Sequence, residues 1–156
     1  MSGGPEAAAD RVRDLLERVR DAFGLAADVV VEEVGSEVRG RLDGRDLGLF
    51  IGRRGQTIDA VQHLAFKIAT RDVPPSAGVR VTVDAAGYRA RREHVLHRQA
   101  DEAAADAVRS GRPVALDAMS ATERKVVHEH LKDRDDVESY SEGTEPDRHL
   151  VVAPIR

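Results

Sequence analysis

Two spacings of apolar residues alternate along this chain, and they predict an alternation of helices and strands. Residues 1–9 are rich in Gly, Ala and Pro, and we expect them to be disordered. Apolar residues then recur at helical spacing over residues 10–24 and predict a first helix. Residues 28–34 and 37–42 are strand-like and are separated by a Gly-Ser turn, which predicts a β-hairpin.

The pattern continues with a glycine-containing loop, a second helix and a third strand. A short apolar run over residues 46–51 leads into the loop, and Ile58, Val61 and Ala65 mark the apolar face of the helix that follows. Alternating valines over residues 79–83 predict the strand. The order helix, strand, strand, loop, helix, strand indicates a small α/β unit that ends near residue 84.

The second half of the chain predicts another small α/β unit. A long helix is expected over about 86–110, with a short strand over 114–116 after it. Ser120 and Glu123 have the spacing of a capping box and predict a helix that begins there and ends near Leu131. Two strands, residues 137–141 and 149–152, complete the unit.

These patterns predict two domains and the α+β class of α/β folds. The first domain is expected over residues 10–85 and the second over 86–156, with the long helix connecting them.

Composition limits the classes of protein to which the chain can belong. At 156 residues it is 41% hydrophobic and 33% charged, which suits a folded domain or two, and its net charge is −4. It contains no cysteine, so disulfides and cysteine-ligated metal sites are excluded. We expect a cytoplasmic protein without a membrane span, because no apolar run approaches the roughly 20 residues that a span needs. Any affinity for nucleic acid has to come from local positive charge.

The loop between the second strand and the second helix has the chemistry of a phosphate contact. Gly52 and Gly55 bracket Arg53 and Arg54, and Gln56 opens the helix. Glycines allow the backbone to approach a phosphodiester closely, the helix start favours an anion, and guanidinium groups bind phosphate oxygens. The residues match neither a Walker A loop nor a dinucleotide fingerprint. The alternative is a turn that binds nothing.

Further cations occur at two places in the second half. Arg124 and His128 are four residues apart on the capped helix, so both are expected on one side of it. Arg89 and Arg92 lie at the basic start of the long helix, where the macrodipole does not favour positive charge. Packing of their stems and contact with a polyanion are the two remaining explanations. For Arg124 and His128 the alternative is a solvated helix face.

Four sequence stretches in one order carry a resemblance to a known family. They are Gly48–Gln62, Tyr88–Arg92, Met119–His128 and Ser139–Arg148. The chain resembles the bacterial Jag/KhpB family, also called SpoIIIJ-associated proteins, over nearly everything after residue 10. That resemblance implies a type II KH domain, of order α-β-β-α-α-β, followed by an R-three-H domain.

The resemblance also implies a function and its residues. Single-stranded RNA would be bound through the backbone-gripping loop of the KH domain, Gly52 to Gln56, and through Arg124 and His128 of the second domain. It implies a post-transcriptional regulator or RNA chaperone linked to cell shape, division or envelope processes. It further implies pairing with a small KH-only protein, or a homodimer, and no cofactor. Longer relatives begin with a further domain and linker that this sequence lacks, so a membrane- or septum-directed role is not expected.

Two other classes of function compete with RNA binding. An enzyme is not expected, because the chain has no nucleophile elbow and no His-Glu-x-x-His motif. No metal site is expected either, since His128 and His130 are two apart and do not share a helix face, and His94 and His97 have no completing ligand nearby. The second alternative is a protein-interaction scaffold with weak RNA affinity.

Overall fold

The computed structural model of the chain describes residues 5–156, and the chain divides into two units. The N-terminal unit extends to Arg89 and the C-terminal unit is Ala90–Arg156. Sequence patterns had suggested a division between residues 85 and 86.

The N-terminal unit has the element order expected of a type II KH domain. Its elements are α1 (Pro5–Ala22), β1 (Ala27–Val34), β2 (Glu37–Gly44), α2 (Gly48–Ile51), α3 (Gln56–Ala69) and β3 (Arg80–Ala85). The sheet has the strand order β1-β2-β3, with β1 antiparallel to β2 and β2 parallel to β3. The α-β-β-α-α-β prediction is therefore confirmed. The apolar run before the glycine loop, however, is the short helix α2.

The N-terminus differs from the sequence expectation. Disorder was expected over residues 1–9, but α1 begins at Pro5, and residues 1–4 lie outside the described part of the chain. Ala8 is 2% exposed and packs in the same core as Val12 and Leu16. Because alanine also has the highest helix propensity, burial and propensity both extend the helix towards the N-terminus.

One face of the N-terminal sheet carries the core of this unit. Val38, Leu42 and Val83 are buried on that face, against Leu16 of α1 and Ile58 of α3. The opposite faces of β2 and β3 present charged and polar side chains, as expected of a sheet covered on one side. Helices α1 and α3 thus lie on a single side of the sheet.

The C-terminal unit is a second, smaller α/β arrangement. Its elements are α4 (Tyr88–Ser110, whose first two residues belong to the N-terminal unit), β4 (Val114–Ala115), α5 (Ala121–Leu131), β5 (Val137–Glu142) and β6 (His149–Pro154). The strands form an antiparallel sheet of order β4-β6-β5. Leu96, Val127 and Val152 are buried in its core. No helix of the described chain is long and apolar enough to cross a membrane.

The start of α5 shows the predicted cap. Ser120 is extended, with φ −62° and ψ 161°, and its Oγ accepts a hydrogen bond from the Glu123 N–H at 3.2 Å. This bond satisfies one of the N–H groups that a helix start leaves unpaired. The cap therefore determines where α5 begins, and so which of its residues face the core.

Phe50 is fully buried in α2, shortly before the glycine loop. Phe50→Ala should lower the free energy of unfolding by about 3–5 kcal/mol, because it removes apolar contacts and leaves a cavity. Chemical denaturation followed by circular dichroism measures this. The neighbouring Leu49 is 62% exposed, so Leu49→Ala is the control and should change stability by no more than about 0.5 kcal/mol. Equal effects of the two substitutions would contradict the packing.

Candidate nucleic-acid interface

The glycine loop is held in a left-handed backbone conformation at three of its four positions. φ is +74° at Gly52, +54° at Arg54 and +75° at Gly55. Residues with a Cβ rarely adopt positive φ angles, so the positive φ of Arg54 is unusual. The chain thus turns sharply between α2 and α3 and places two arginine side chains at the turn.

Neighbouring side chains occupy the space that a Cβ at either glycine would need. A Cβ on Gly52 would collide with Thr57 Oγ1 and would lie 2.8 Å from the Thr57 backbone nitrogen. A Cβ on Gly55 would lie 2.8 Å from the hydroxyl oxygen of Tyr88. Backbone conformation therefore favours glycine at both positions. Packing excludes a side chain at Gly52, and at Gly55 it would force the Tyr88 ring to move. Sequence reasoning recognised the glycines but missed Thr57 and Tyr88, the residues that pack against them.

The loop presents its polar groups to solvent. Arg53, Arg54 and Gln56 are exposed, and Gly55 is buried. Gly55 is the residue before α3 and has no side chain with which to cap the helix. Two cations therefore lie beside a helix start whose first N–H groups favour an anion. This arrangement can contact a phosphate through both side chains and backbone.

The sequence predicts that Arg89 contacts RNA, and in the structure its side chain donates hydrogen bonds within the N-terminal unit. Its Nε donates to the Val83 carbonyl at 2.7 Å, and its two terminal nitrogens donate to Asp59 at 2.9 Å and to Gln62 at 3.0 Å. Asp84 accepts the Arg89 backbone N–H at 3.2 Å. Direct RNA contact by Arg89 remains a prediction, whereas its internal contacts tie β3 to α3, the helix that follows the loop.

Arg92 also forms an internal ion pair, in this case within the C-terminal unit. Its Nε donates to Glu123 Oε1 at 2.7 Å, and both side chains are largely buried. Glu123 is the residue whose backbone N–H is capped by Ser120. Arg92 therefore ties α4 to the first turn of α5, and its predicted contact with RNA also remains a prediction.

A cleft of about 430 Å³ lies beside α5 in the C-terminal unit. It is lined by Ala121, Arg124, Lys125, His128, Ser139, Tyr140, Ser141, Arg148 and Leu150. His128 is exposed, and its Nδ1 lies 2.7 Å from Ser139 Oγ. Lys125 is exposed, and Arg148 donates to the Gly143 carbonyl at 2.6 Å. The cleft thus combines cations and hydroxyl groups, which suits an anionic ligand. Lys125 and Arg148 were missed by sequence reasoning.

Arg124 lies at this cleft but is buried. Only 10% of its side chain is exposed, and its terminal nitrogens donate to the Met119 carbonyl at 2.7 Å and to Glu145 Oε1 at 2.6 Å. Arg124 precedes the buried Val127 and Leu131 by three and seven residues, which is the spacing of one helix face. That spacing is the sequence signal that could have shown its burial. The predicted shared anion-facing role of Arg124 with His128 remains a prediction.

Lys132, one turn beyond His128, is paired with an acidic neighbour. Its Nζ donates to Glu129 Oε2 at 2.6 Å. This hydrogen bond, with the charge of Lys132, holds the pKa of Glu129 below its ordinary value and raises the pKa of Lys132. The pair is neutral overall, so Lys132 adds little positive potential to the cleft.

Two histidines that the sequence did not connect are stacked between α4 and α5. The rings of His97 and His130 have centroids 4.1 Å apart and are inclined by 10°. His130 Nε2 lies 2.9 Å from Asp101 Oδ1. No group of three or more metal-ligating side chains occurs among residues 5–156. The stacked rings pack α4 against α5.

Family models match both units. The model of the KhpA/KhpB KH domain matches residues 9–83, and that of the R-three-H domain matches residues 94–154. The chain is 36% identical over 146 residues to "RNA-binding protein KhpB" of Clostridium symbiosum, covering 92% of this chain and 65% of that protein. It is 32% identical over 143 residues to the protein of the same name in Bacillus subtilis (strain 168), covering 90% and 68%.

A third relative is longer. The chain is 34% identical over 148 residues to "RNA-binding protein KhpB" of Lactiplantibacillus plantarum (strain ATCC BAA-793 / NCIMB 8826 / WCFS1), which covers 95% of this chain but 45% of that protein. The chain thus spans between about half and two thirds of the length of these relatives.

The geometry of the loop predicts unequal effects at two nearby glycines. Gly52→Ala should lower the free energy of unfolding by about 1–3 kcal/mol, because alanine is strained at this φ and would clash with Thr57. Gly48 is the matched control, because it begins α2 and a Cβ there would meet nothing within 4 Å. Gly48→Ala should be neutral or stabilising, by up to about 1 kcal/mol. Denaturant titration of the two variants checks the difference, and equal stabilities would rule out the constraint at Gly52.

Proposed function

The chain belongs to the Jag/KhpB family, and on that premise we propose that it binds RNA and that its ligand is single-stranded RNA. KH domains clamp the nucleic-acid backbone with a glycine loop and accept unpaired bases. The relatives named above carry the words "RNA-binding protein" in their names, which supports the coarser part of the proposal. Its finer part, recognition of single strands through backbone phosphate, depends on the loop.

The observation that carries the proposal is the loop itself. Arg53 and Arg54 are exposed between two glycines that pack beside Thr57 and Tyr88, directly before the start of α3. The backbone of an RNA strand would there meet two guanidinium groups and the N–H groups of a helix start. Gln56, exposed at the first position of α3, would contact the same strand.

The cleft of the C-terminal unit is proposed as a second contact surface. Lys125 and His128 are exposed there, and Arg148 lines the same cleft. Two weak sites on one molecule raise the overall affinity when one strand can reach both. Long strands would then bind more tightly than strands that fill only the KH groove.

The physiological role and the protein partners follow from the family and are also proposals. RNA binding of this kind would suit a post-transcriptional regulator or RNA chaperone linked to cell shape, division or envelope processes. A second candidate function is pairing with a small KH-only protein or with a second copy of the chain. Exposed apolar side chains of α2 and α3, Leu49, Leu64 and Phe66, would favour such pairing.

Reversing the charge of the loop tests the proposed function. Arg53→Asp combined with Arg54→Asp should abolish most RNA binding, because acidic groups would then face the phosphates. Fluorescence anisotropy with a labelled single-stranded RNA gives the affinity, and circular dichroism shows whether the variant is folded. Unchanged affinity in a folded double variant would refute the proposal.

A control for net charge is available in the same unit. Arg18 and Arg71 are exposed, on α1 and beyond the C-terminal end of α3. A 14-residue helix is about 21 Å long, so Arg71 is far from the loop. Arg18→Asp with Arg71→Asp makes the same change in net charge and should weaken binding much less than the loop variant.

Salt and strandedness test the mode of recognition. On a single strand, the logarithm of the association constant should fall by about 0.7 per log unit of salt for each phosphate neutralised. The Arg53 and Arg54 double variant should therefore show a slope shallower by about 1.4, twice that value. A single strand should bind more tightly than a duplex of the same sequence, because the KH groove accepts unpaired bases. Equal affinity for both would contradict this mode.

A further inference from the structure

The Arg124 side chain has little surface left for a ligand. It is 10% exposed, one terminal nitrogen donates to the Met119 carbonyl, and the other donates to Glu145 at 2.6 Å. A phosphate that bound Arg124 would have to displace a backbone carbonyl, a carboxylate, or both. A phosphate would replace the carboxylate as the anionic partner, but it would break the bond that links Arg124 to Glu145.

Glu145 lies in the connection between β5 and β6, and 59% of its side chain is exposed. The same connection is closed by a second internal bond, from Arg148 to the Gly143 carbonyl at 2.6 Å. Arg124 thus joins the segment before α5, through Met119, to the connection that carries Arg148. Arg148 in turn lines the cleft with Lys125 and His128.

We infer that Arg124 is a positioning residue for RNA and not a phosphate contact. Through Glu145 it holds the β5–β6 connection in place, so that Arg148 meets the phosphate together with Lys125 and His128. This inference rests on the proposed function, because it concerns how the C-terminal cleft takes a strand. Glu145 would therefore help a polyanion to bind although it is itself negatively charged.

The alternative is that Arg124 binds phosphate directly and that Glu145 masks it in the free protein. The two models predict opposite signs for the loss of the Glu145 charge. If the carboxylate masks Arg124, its removal frees a cation and also removes a repulsion, and RNA binds more tightly. If the carboxylate positions the connection, its removal loosens Arg148, and RNA binds less tightly although a negative charge has gone.

The deciding variant is Glu145→Gln, measured in the full chain with a long single-stranded RNA. We expect binding to weaken several-fold, because the glutamine amide oxygen can still accept from Arg124 but lacks the charge that makes such a hydrogen bond roughly twice as strong. Glu138→Gln is the matched control, because Glu138 is an exposed carboxylate on β5 outside the cleft lining. The control should bind as wild type or slightly more tightly. Tighter or unchanged binding by Glu145→Gln would overturn the inference.

Variants at Arg124 give a second discrimination. A lysine has one nitrogen and cannot bond Met119 and Glu145 as the guanidinium fork does. Arg124→Lys should therefore lose as much affinity as Arg124→Ala, whereas a direct phosphate contact would be partly retained by lysine. Arg124→Ala combined with Glu145→Ala should bind no more weakly than Arg124→Ala alone, because Glu145 has already lost its partner in that single variant. Additive losses would contradict the coupling.

A measurement without RNA separates positioning from general unfolding. Amide hydrogen exchange in Glu145→Gln should rise over residues 143–148 and stay unchanged in the core strand β6. Unchanged exchange over 143–148 would contradict the inference.

The RNA titrations distinguish failure of this inference from failure of the proposed function. If wild type binds no RNA, the proposed function fails. If wild type binds RNA and the loop variant does not, but Glu145→Gln binds as tightly as wild type, the inference alone fails.

Discussion

The missing Cβ atoms of Gly52 and Gly55 are the constraint on which the candidate interface depends. Thr57 fills the space beside one glycine, and Tyr88 fills the space beside the other. These two neighbours, together with the positive φ of both glycines, leave little room for a side chain at either position. A backbone held in this conformation would favour the proposed RNA contact, because every segment that must be ordered on binding subtracts from the affinity.

Part of the positive charge in this chain is balanced by internal pairing. Arg89, Arg92 and Arg124 each bond a carboxylate of their own unit, namely Asp59, Glu123 and Glu145. Pairs of this kind contribute little net potential at the surface. A net charge of −4 is therefore compatible with local patches that attract a polyanion, provided that cations such as Arg53 and Lys125 remain exposed.

Local pattern predicted the elements well, because each depends on periodicity or on a short turn signal. The hairpin followed from alternation around a Gly-Ser turn, and the start of α5 followed from Ser120 and Glu123. Contacts between distant residues could not be read in the same way. Arg89 bonds Asp59 and Gln62, which are 30 and 27 residues away, and His97 stacks on a residue of another helix.

The burial of Arg124 could be predicted in part from local pattern and in part only from contacts with distant residues. Its spacing from Val127 and Leu131 placed it on the apolar face of α5, but its charge suggested solvent. Helix geometry says that Arg124 and His128 are neighbours. It does not say which of them points to the core. Only the acceptors supplied by Met119 and Glu145 make a buried guanidinium tolerable.

Arginine has a structural use in this chain that lysine could not fill. The sequence contains 21 arginines and three lysines. A guanidinium is planar and carries five donors, so a single side chain can bond acceptors on separate elements. Arg89 does this with a carbonyl of β3 and two side chains of α3. An ammonium group has one nitrogen and would leave some of these acceptors unpaired. In an arginine-rich chain, therefore, a cluster of basic residues indicates nucleic acid only after the arginines that serve as internal cross-links have been set aside.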